Sequence, residues 1–368
     1  MKLIVLLMLV CPLSADQTCI RVGGGTISPV HQQKLQQHAV ETLGIIDNDP
    51  SKKDVVLRQG LQWFESYEQA LEQKPDFWDV CVPPEVHLVV MKKIIETDPK
   101  ALITVEKPIC MSYQISELCQ LLKTFQGKIV VNENYLSSEI TGTVLKIAFE
   151  LLHLTPHRIV VEMDKNRIAD IKRGRYVDPE GAFKYEGTHI LTILLSVLDK
   201  LSIELPNRPN TIDYEPLIVS GRTLENQGSA DILFKIDQLE INLFSSMNGT
   251  IKNRYPAYSK DSILEEETAH RYRILAIEGE SPDGTLYTVV GFYEPLAKHS
   301  RGIGEVILLK NGEWIKSFGE IADDSMGNHL GRTADYLLGK TSVNPCTAER
   351  GIEIVRLLDR MLPKTERN

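Results

Sequence analysis

The sequence contains no C-x-x-C pair, and its six cysteines (Cys11, Cys19, Cys81, Cys110, Cys119 and Cys346) follow no regular spacing. This removes the usual grounds for a zinc site or a disulfide framework, and no metal is expected. Cys81, in the apolar run WDVCV, reads as a buried thiol. Basic charge is also short. Lys and Arg number 41 against 50 Asp and Glu, a formal net charge of −9, so neither nucleic acid nor an anionic membrane is an expected partner. No internal apolar run is long enough to span a bilayer, and there is no internal repeat or low-complexity tract. What remains is the composition of a soluble globular protein, 42% hydrophobic and 25% charged. At 368 residues it is long enough for two domains.

The N-terminus admits two readings. Lys2, the run LIVLLMLVC and then PLSA have the charged, apolar and small-residue parts of a secretion signal, making 1–17 a signal peptide or an N-terminal extension. However, Leu13 is bulky three positions before a cut after Ala15, and cleavage there would leave only DQTCIRV as a first strand. The second point tilts the reading toward a cytoplasmic chain and leaves secretion open.

From residue 18 to about 131, short buried-strand runs (CIRV, ETLGIID, FWDVCV, ALITVE, KIVVNE) alternate with helical patterns (HQQKLQQHAV, SYEQALEQ, EVHLVVMKKIIE, ISELCQLLKTF). Such alternation implies an α/β domain with a parallel sheet and right-handed crossovers. Beyond it, over 132–345, long helices (EITGTVLKIAFELLHL, THILTILLSVLDKL) accompany strand-like segments: RIVVEMD, ADILFKI, LEINLFSS, RYRILAIEG, LYTVVGFYE and EVILLK. Asp237-Gln238 and the Asp-Gly of EGESPDGT mark turns. An α+β domain with a mostly antiparallel open sheet, one face covered by helices, fits this half. TAERGIEIVRLLDRML closes the chain, within 346–368, as an amphipathic helix.

RVGGGTISPVH, after the strand CIRV, has the form of a dinucleotide-binding turn. Gly23 and Gly25 supply the first two glycines of G-x-G-x-x-G, and Ser28 stands at the third position, where a small residue suffices for helix–strand packing. Thr26 and Ile27 lead into a helix whose N-terminus favours a pyrophosphate, and Pro29 suits its first turn. Asp47 ends the next strand, where an acid accepts hydrogen bonds from an adenine ribose and repels a 2′-phosphate. The expected cofactor is therefore NAD rather than NADP, with Asp47 as a simple turn residue the bland alternative.

PPEVH (83–87) and VEKPIC (105–110) end the next two predicted strands, so both loops should border the cofactor crevice. With the glycine turn, the NENY stretch and a later Gly-x-His, this ordered set resembles the glucose–fructose oxidoreductase/inositol dehydrogenase (Gfo/Idh/MocA) family over nearly the whole chain from residue 19. The resemblance implies a Rossmann domain followed by an α+β substrate domain, and an oxidoreductase moving hydride between a nicotinamide and a secondary alcohol of a sugar, cyclitol or polyol. It implies that Pro83, His87, Glu106 and Asn132 line the cofactor, with Lys107 beside the nicotinamide and the reacting hydroxyl. It also implies a cis peptide before Pro108 that turns the lysine inward. The family's Asp-x-x-x-His falls on GAFKYEGTHIL: His189 matches the histidine and Gly187 the glycine, but Tyr185 stands in place of the aspartate, beside Glu186. His189 is then the general acid/base, with Tyr185 assisting. Tyr135, with Asn134 an equal alternative, could face the substrate, and Arg173 and Arg175 in IKRGRYVDPEG could line a pocket for a polyol or charged sugar substituent. The open sheet face implies a homodimer or homotetramer. Two other functions stay open: an NAD-dependent glycoside hydrolase of the same family, and a non-catalytic NAD-binding sensor.

Overall fold

The computed structural model describes residues 17–174, 181–256, 263–266, 271–293 and 302–363, apart from the side chain of residue 185. The signal-like segment and Arg175 lie outside them.

The first sheet is formed by β1 (Gln17–Val22), β2 (Val40–Ile46), β3 (Gln62–Trp63), β4 (Phe77–Val80), β5 (Leu102–Glu106) and β6 (Lys128–Asn132), all parallel, in the order β3-β2-β1-β4-β5-β6. The crossovers carry α1 (Ser28–Gln37), α2 (Lys53–Arg58), α3 (Tyr67–Leu71), α4 (His87–Thr97) and α5 (Ile115–Thr124). This is the Rossmann order, with the chain reversing direction across the sheet between β1 and β4. Strand alternation sends neighbouring residues to opposite faces. Ile20, Trp78, Val105 and Val131 pack against Leu88, Met91 and Leu118 on one side. Cys19, Phe77 and Val130 pack against Leu35 of α1 on the other.

After α6 (Glu139–Leu145), prolonged by a π-helical turn over Lys146–Leu151, the chain builds an eight-stranded sheet. Its strands are β7 (Thr155–Asp164), β8 (Thr211–Val219), β9 (Arg222–Ile236), β10 (Leu239–Ser246), β11 (Tyr272–Glu280), β12 (Leu286–Phe292), β13 (Ile303–Lys310) and β14 (Glu313–Ala322). Their order is β14-β13-β12-β11-β7-β10-β9-β8, antiparallel except for β7 with β10. The two expected turns are present: Asp237-Gln238 joins β9 to β10 with Asp237 at φ 52°, and Asp283-Gly284 lies between β11 and β12. One face holds Ile159, Val161, Phe234, Leu243 and Leu275 against α8 (Ala182–Leu201), which follows the short α7 (Ile168–Lys172). On the opposite face, Val160, Ile274, Ala276, Val290, Phe292 and Ile307 are no more than 1% exposed, clustered with Ile251 and Leu264 from the β10–β11 connection. The middle of the face expected to be open is thus already buried within one chain.

The last two helices tie the halves together. α9 (Ser325–Leu337) returns to the first sheet, placing Leu330, Ala334 and Leu337 against Cys19 and Phe77. α10 (Ala348–Met361) sends Ile352 and Val355 into the first core and Ile354, Leu357, Leu358 and Met361 into the second. This helix sets the position of α8. A Cβ at Gly187 would stand 2.6 Å from Leu358 Cδ1, so glycine permits the close approach of the two helices. No helix among the described residues is long and apolar enough to cross a membrane.

Candidate active site

β1 runs directly into the glycine turn. Gly23 has φ 103°, and a Cβ there would lie 2.7 Å from the Cys81 carbonyl oxygen, so only glycine lets β1 pass the end of β4. A Cβ at Gly25 would meet nothing within 4 Å. Ile27 caps α1 with no side-chain hydrogen bond, and Thr26 precedes it. The first turn of α1 is therefore uncapped beside open space, the arrangement that receives a phosphate group. Ser28 is buried, and its hydroxyl lies 3.4 Å from Arg21 Nη1, so the residue in the third glycine's place both fits and holds a buried cation.

Asp47, which follows β2, returns to this turn. Its carboxylate accepts from Gly24 N at 2.6 Å, Asp49 N at 2.8 Å and Lys52 Nζ at 2.9 Å. Partial burial raises its pKa, but the Lys52 and backbone hydrogen bonds lower it further, and the net shift is downward. Lys52, five residues on, went unremarked in the sequence. Pro83, in the loop after β4, precedes the short helical turn Pro84–Val86. His87 is buried, with Nε2 2.8 Å from the Val82 carbonyl and Nδ1 2.8 Å from the Pro108 carbonyl. The ring ties the two crevice loops together and keeps neither nitrogen for a ligand.

Beneath the turn lies a buried ionic cluster; of its charged residues the sequence reading singled out only Glu106, with Asn132 beside it. Arg21 Nε donates to Asp79 Oδ2 at 2.8 Å, and Arg21 Nη2 to Thr42 Oγ1 at 3.1 Å. His31 on α1 places Nδ1 2.9 Å from Asp79 Oδ1 and Nε2 2.8 Å from Glu106 Oε1. A carboxylate against each nitrogen means that the ring holds both protons. Burial alone would lower its pKa, but Asp79 more than reverses this and leaves it well above the ordinary imidazole value. Asp79 responds in the opposite sense: burial pushes it up, and His31 and Arg21 hold it far below the usual carboxylate range. His31, Asp79 and Cys81 bring potential metal-ligating atoms within 4.8 Å of one another. A cation bound there would face the Arg21 guanidinium already on Asp79. Asn132 Nδ2 donates to Glu106 Oε1, while its Oδ1 is buried with no hydrogen-bond partner.

Across the crevice, the Lys107–Pro108 peptide is cis. The charge of Lys107 acts on Glu106, Glu133 and His189. His189 on α8 packs edge-on against Tyr135, ring centroids 4.9 Å apart, and its Nδ1 is buried without a partner. Burial first, and then Lys107, hold its pKa well below the ordinary imidazole value, so the ring is neutral at pH 7. A chain of contacts fixes the ring. Tyr135 Oη accepts from Arg273 Nη1 at 2.6 Å, and Glu186 binds Arg273 Nη2 at 2.7 Å and Arg167 Nη2 at 2.9 Å. Burial would raise Glu186, but Arg273 and Arg167 hold it far below the usual carboxylate range. Thus Glu186, the neighbour of Tyr185, is a fixed anion between two guanidiniums; the Tyr185 side chain lies outside the described part. Arg173, two-thirds exposed and 3.2 Å from Asp170, stands on the outer side of this cluster. Glu133 was passed over between Asn132 and Asn134. It is 1% exposed, accepts from Thr192 Oγ1 at 2.9 Å through Oε2, and has no partner at Oε1.

Residues 18–133 match the family described as Oxidoreductase family, NAD-binding Rossmann fold (GFO_IDH_MocA). The N-terminal domain belongs to the Gfo/Idh/MocA oxidoreductases. No curated protein matches the chain. Among solved structures, the fold extends the likeness beyond that domain. An oxidoreductase from Sinorhizobium meliloti aligns over 94% of this chain and 95% of its own, with TM-score 0.66 and 12% identity. GenD2 from gentamicin A biosynthesis, solved in complex with NAD, covers 94% and 92% at TM-score 0.63 and 16% identity. UDP-N-acetylglucosamine 3-dehydrogenase from Acidithiobacillus ferrooxidans covers 94% and 96% at TM-score 0.56 and 12% identity. The family's N-terminal domain and these whole-chain likenesses agree with the two sheets: a parallel Rossmann sheet and a mostly antiparallel second one.

Proposed function

We propose that the protein is an NAD-dependent oxidoreductase acting on a secondary alcohol, or the corresponding ketone, of a sugar, cyclitol or polyol. The observation that carries this reading is a buried, neutral and partly unpartnered His189 from the second domain that feels the charge of Lys107 at the C-terminal end of the parallel sheet. The chain fits the cofactor at three points: the uncapped α1 beside Gly25, the ionised Asp47, and the orphaned Asn132 Oδ1, an acceptor suited to an amide donor. When bound, the nicotinamide would accept or return hydride. The protein's own residues handle the remainder. Lys107 polarises the hydroxyl and stabilises alkoxide character. His189, kept neutral, can take the hydroxyl proton. Tyr135, Arg273 and Glu186 hold the imidazole in place.

A panel of polyols, sugars and sugar nucleotides assayed for NAD reduction tests this reading. Turnover on at least one secondary alcohol is expected. Tight NAD binding with no reduction across the panel would favour a non-catalytic protein.

The choice of cofactor rests on Asp47 and Lys52 together. Asp47→Ser removes the carboxylate that would repel a 2′-phosphate and frees Lys52 to attract one. The ratio of NADP to NAD dissociation constants should fall at least about tenfold, as for loss of one close charge contact. Calorimetric titration of both cofactors reads it directly, and an unchanged ratio removes Asp47 from cofactor choice.

A further inference from the structure

One turn beyond His189 on α8, the Thr192 hydroxyl lies 2.7 Å from the Thr188 carbonyl of its own helix. The same oxygen lies 2.9 Å from Oε2 of Glu133, the residue that follows β6. Glu133, Thr188 and Thr192 are all buried. Two residues after Glu133, Tyr135 packs edge-on against the His189 ring at 4.9 Å. One short segment at the end of the parallel sheet therefore touches α8 on adjacent turns, Tyr135 at His189 and Glu133 at Thr192.

A hydroxyl carries one proton, and here two acceptors claim it. An ionised Glu133 would hold no more than a share of that one bond. Its Oε1 is buried with no hydrogen-bond partner, and no ion pair reaches the carboxyl among the described residues. The other crevice carboxylates are far better supplied: Glu186 is bound by Arg167 and Arg273, and Glu106 by His31 and Asn132. A carboxylate buried on the terms of Glu133 is costly, and such a group takes up a proton instead. With that proton on Oε2, each donor at the junction has one acceptor. The carboxyl O–H donates to Thr192 Oγ1, and Thr192 donates to the Thr188 carbonyl, in the peptide that leads into His189. Burial pushes the Glu133 carboxyl up to about 7, in the same sense.

We propose that Glu133 is held as a neutral carboxylic acid and is a positioning residue of this site, fixing the turn of α8 that carries His189 against the end of the parallel sheet. Its effect on catalysis rests on the reading of the site as an alcohol dehydrogenase; the neutral acid and its bond to Thr192 stand apart from that reading. The groups around Glu133 are Glu106 and Lys107 at the end of β5, Thr192 on α8, and Cys346 ahead of α10. The folded-state value lies above the ordinary 4.5, so the contribution of Glu133 is complete below that value and is lost as pH rises through about 7. Above it, the ionised carboxylate again competes with the Thr188 carbonyl for the single Thr192 proton.

Infrared difference spectra of the cofactor-free protein, recorded across pH, test the neutral acid. A protonated carboxyl band should disappear at about pH 7 in the wild type and be absent in Glu133→Gln. It should shift in Thr192→Val, where the acid loses its acceptor, and this arm remains readable if a Glu133 variant fails to fold. A carboxyl that titrates in the ordinary range, or a band that Thr192→Val leaves in place, overturns the proposal. Glu133→Gln keeps a donor and carries no charge, so its thermal midpoint should gain on the wild type as pH rises from about 6 to about 9. A difference that stays constant over that range also overturns it. On a substrate found by the panel, Glu133→Leu should lose about tenfold to a hundredfold in kcat, with the NAD dissociation constant within about threefold. Glu133→Gln should recover most of that loss. A Glu133→Leu enzyme with wild-type kcat, or no recovery in Glu133→Gln, overturns the positioning role. A neutral acid bonded to Thr192 in a protein that oxidises no panel member would overturn the functional reading while leaving the junction in place.

Discussion

Lys107→Ala should lower NADH formation on a good substrate by about a thousandfold while leaving the NAD dissociation constant within about tenfold, since a cation at the developing alkoxide acts on the transition state more than on cofactor binding. The asymmetry follows from the site. The expected cofactor contacts at the glycine turn, Asp47 and Asn132 do not pass through Lys107. Its charge instead falls on His189, the group assigned to the hydroxyl proton. Removing the cation should also let the pKa of His189 rise, because Lys107 is its largest charged depressant. Residual activity in the variant should therefore show a changed pH dependence as well as a lower maximum. Steady-state assays paired with fluorescence titration of NAD distinguish the two effects. An enzyme that keeps most of its kcat without Lys107 would remove the lysine from the reaction.

The Rossmann half was legible because each of its main strands is buried on both faces, so the runs CIRV, FWDVCV and ALITVE stand out as continuous apolar segments. The elements that went unseen are those whose burial leaves no periodic mark. β8 and β14 close the two edges of the second sheet, exposed along much of their length, and show no alternation. α9 contains five small or polar residues (Gly327, His329, Gly331, Thr333 and Ala334) on its buried side, which weakens the apolar stripe expected of a packed helix. Helical periodicity also carried α1 too far, to Val40. The helix ends at Gln37, and Ala39 at φ 57° turns the chain into β2.

The site divides in the same way. Gly23, Asp47, Lys107 and His189 sit in motifs whose chemistry depends on local order along the chain, and the sequence displays that order. Arg21, Asp79, Glu133 and Arg273 contribute through partners 48 to 138 residues away, as in His31–Asp79 and Arg273–Tyr135. A visible signal did exist for two of them. Arg21 and Asp79 are charged residues inside otherwise apolar strands, a position that is tolerated only when each has a partner.

His31→Ala should destabilise the protein by about 3–5 kcal/mol, the usual cost of removing one member of a fully buried ion pair and stranding the others. Asp79 would keep Arg21, and Glu106 would keep Asn132, but each carboxylate would lose its bond to the imidazolium. Denaturant unfolding at neutral pH measures the loss. Its pH dependence identifies the charge state responsible. The folded-state pKa of His31 lies above its unfolded value, so the stabilisation is complete below the ordinary imidazole value of about 6.5 and disappears as pH rises through the folded value. Asp79, shifted downward, contributes in the opposite window: its share is present above the ordinary carboxylate value and is lost as the solution is acidified. The stability gap between wild type and His31→Gln, which can hydrogen-bond but carries no charge, should therefore narrow on the alkaline side. A gap that stays constant there would mean that the ring is neutral and that hydrogen bonds alone join α1 to β4 and β5. Because α1 also presents the expected phosphate-binding turn, NAD affinity should weaken in His31→Ala even where the protein remains folded.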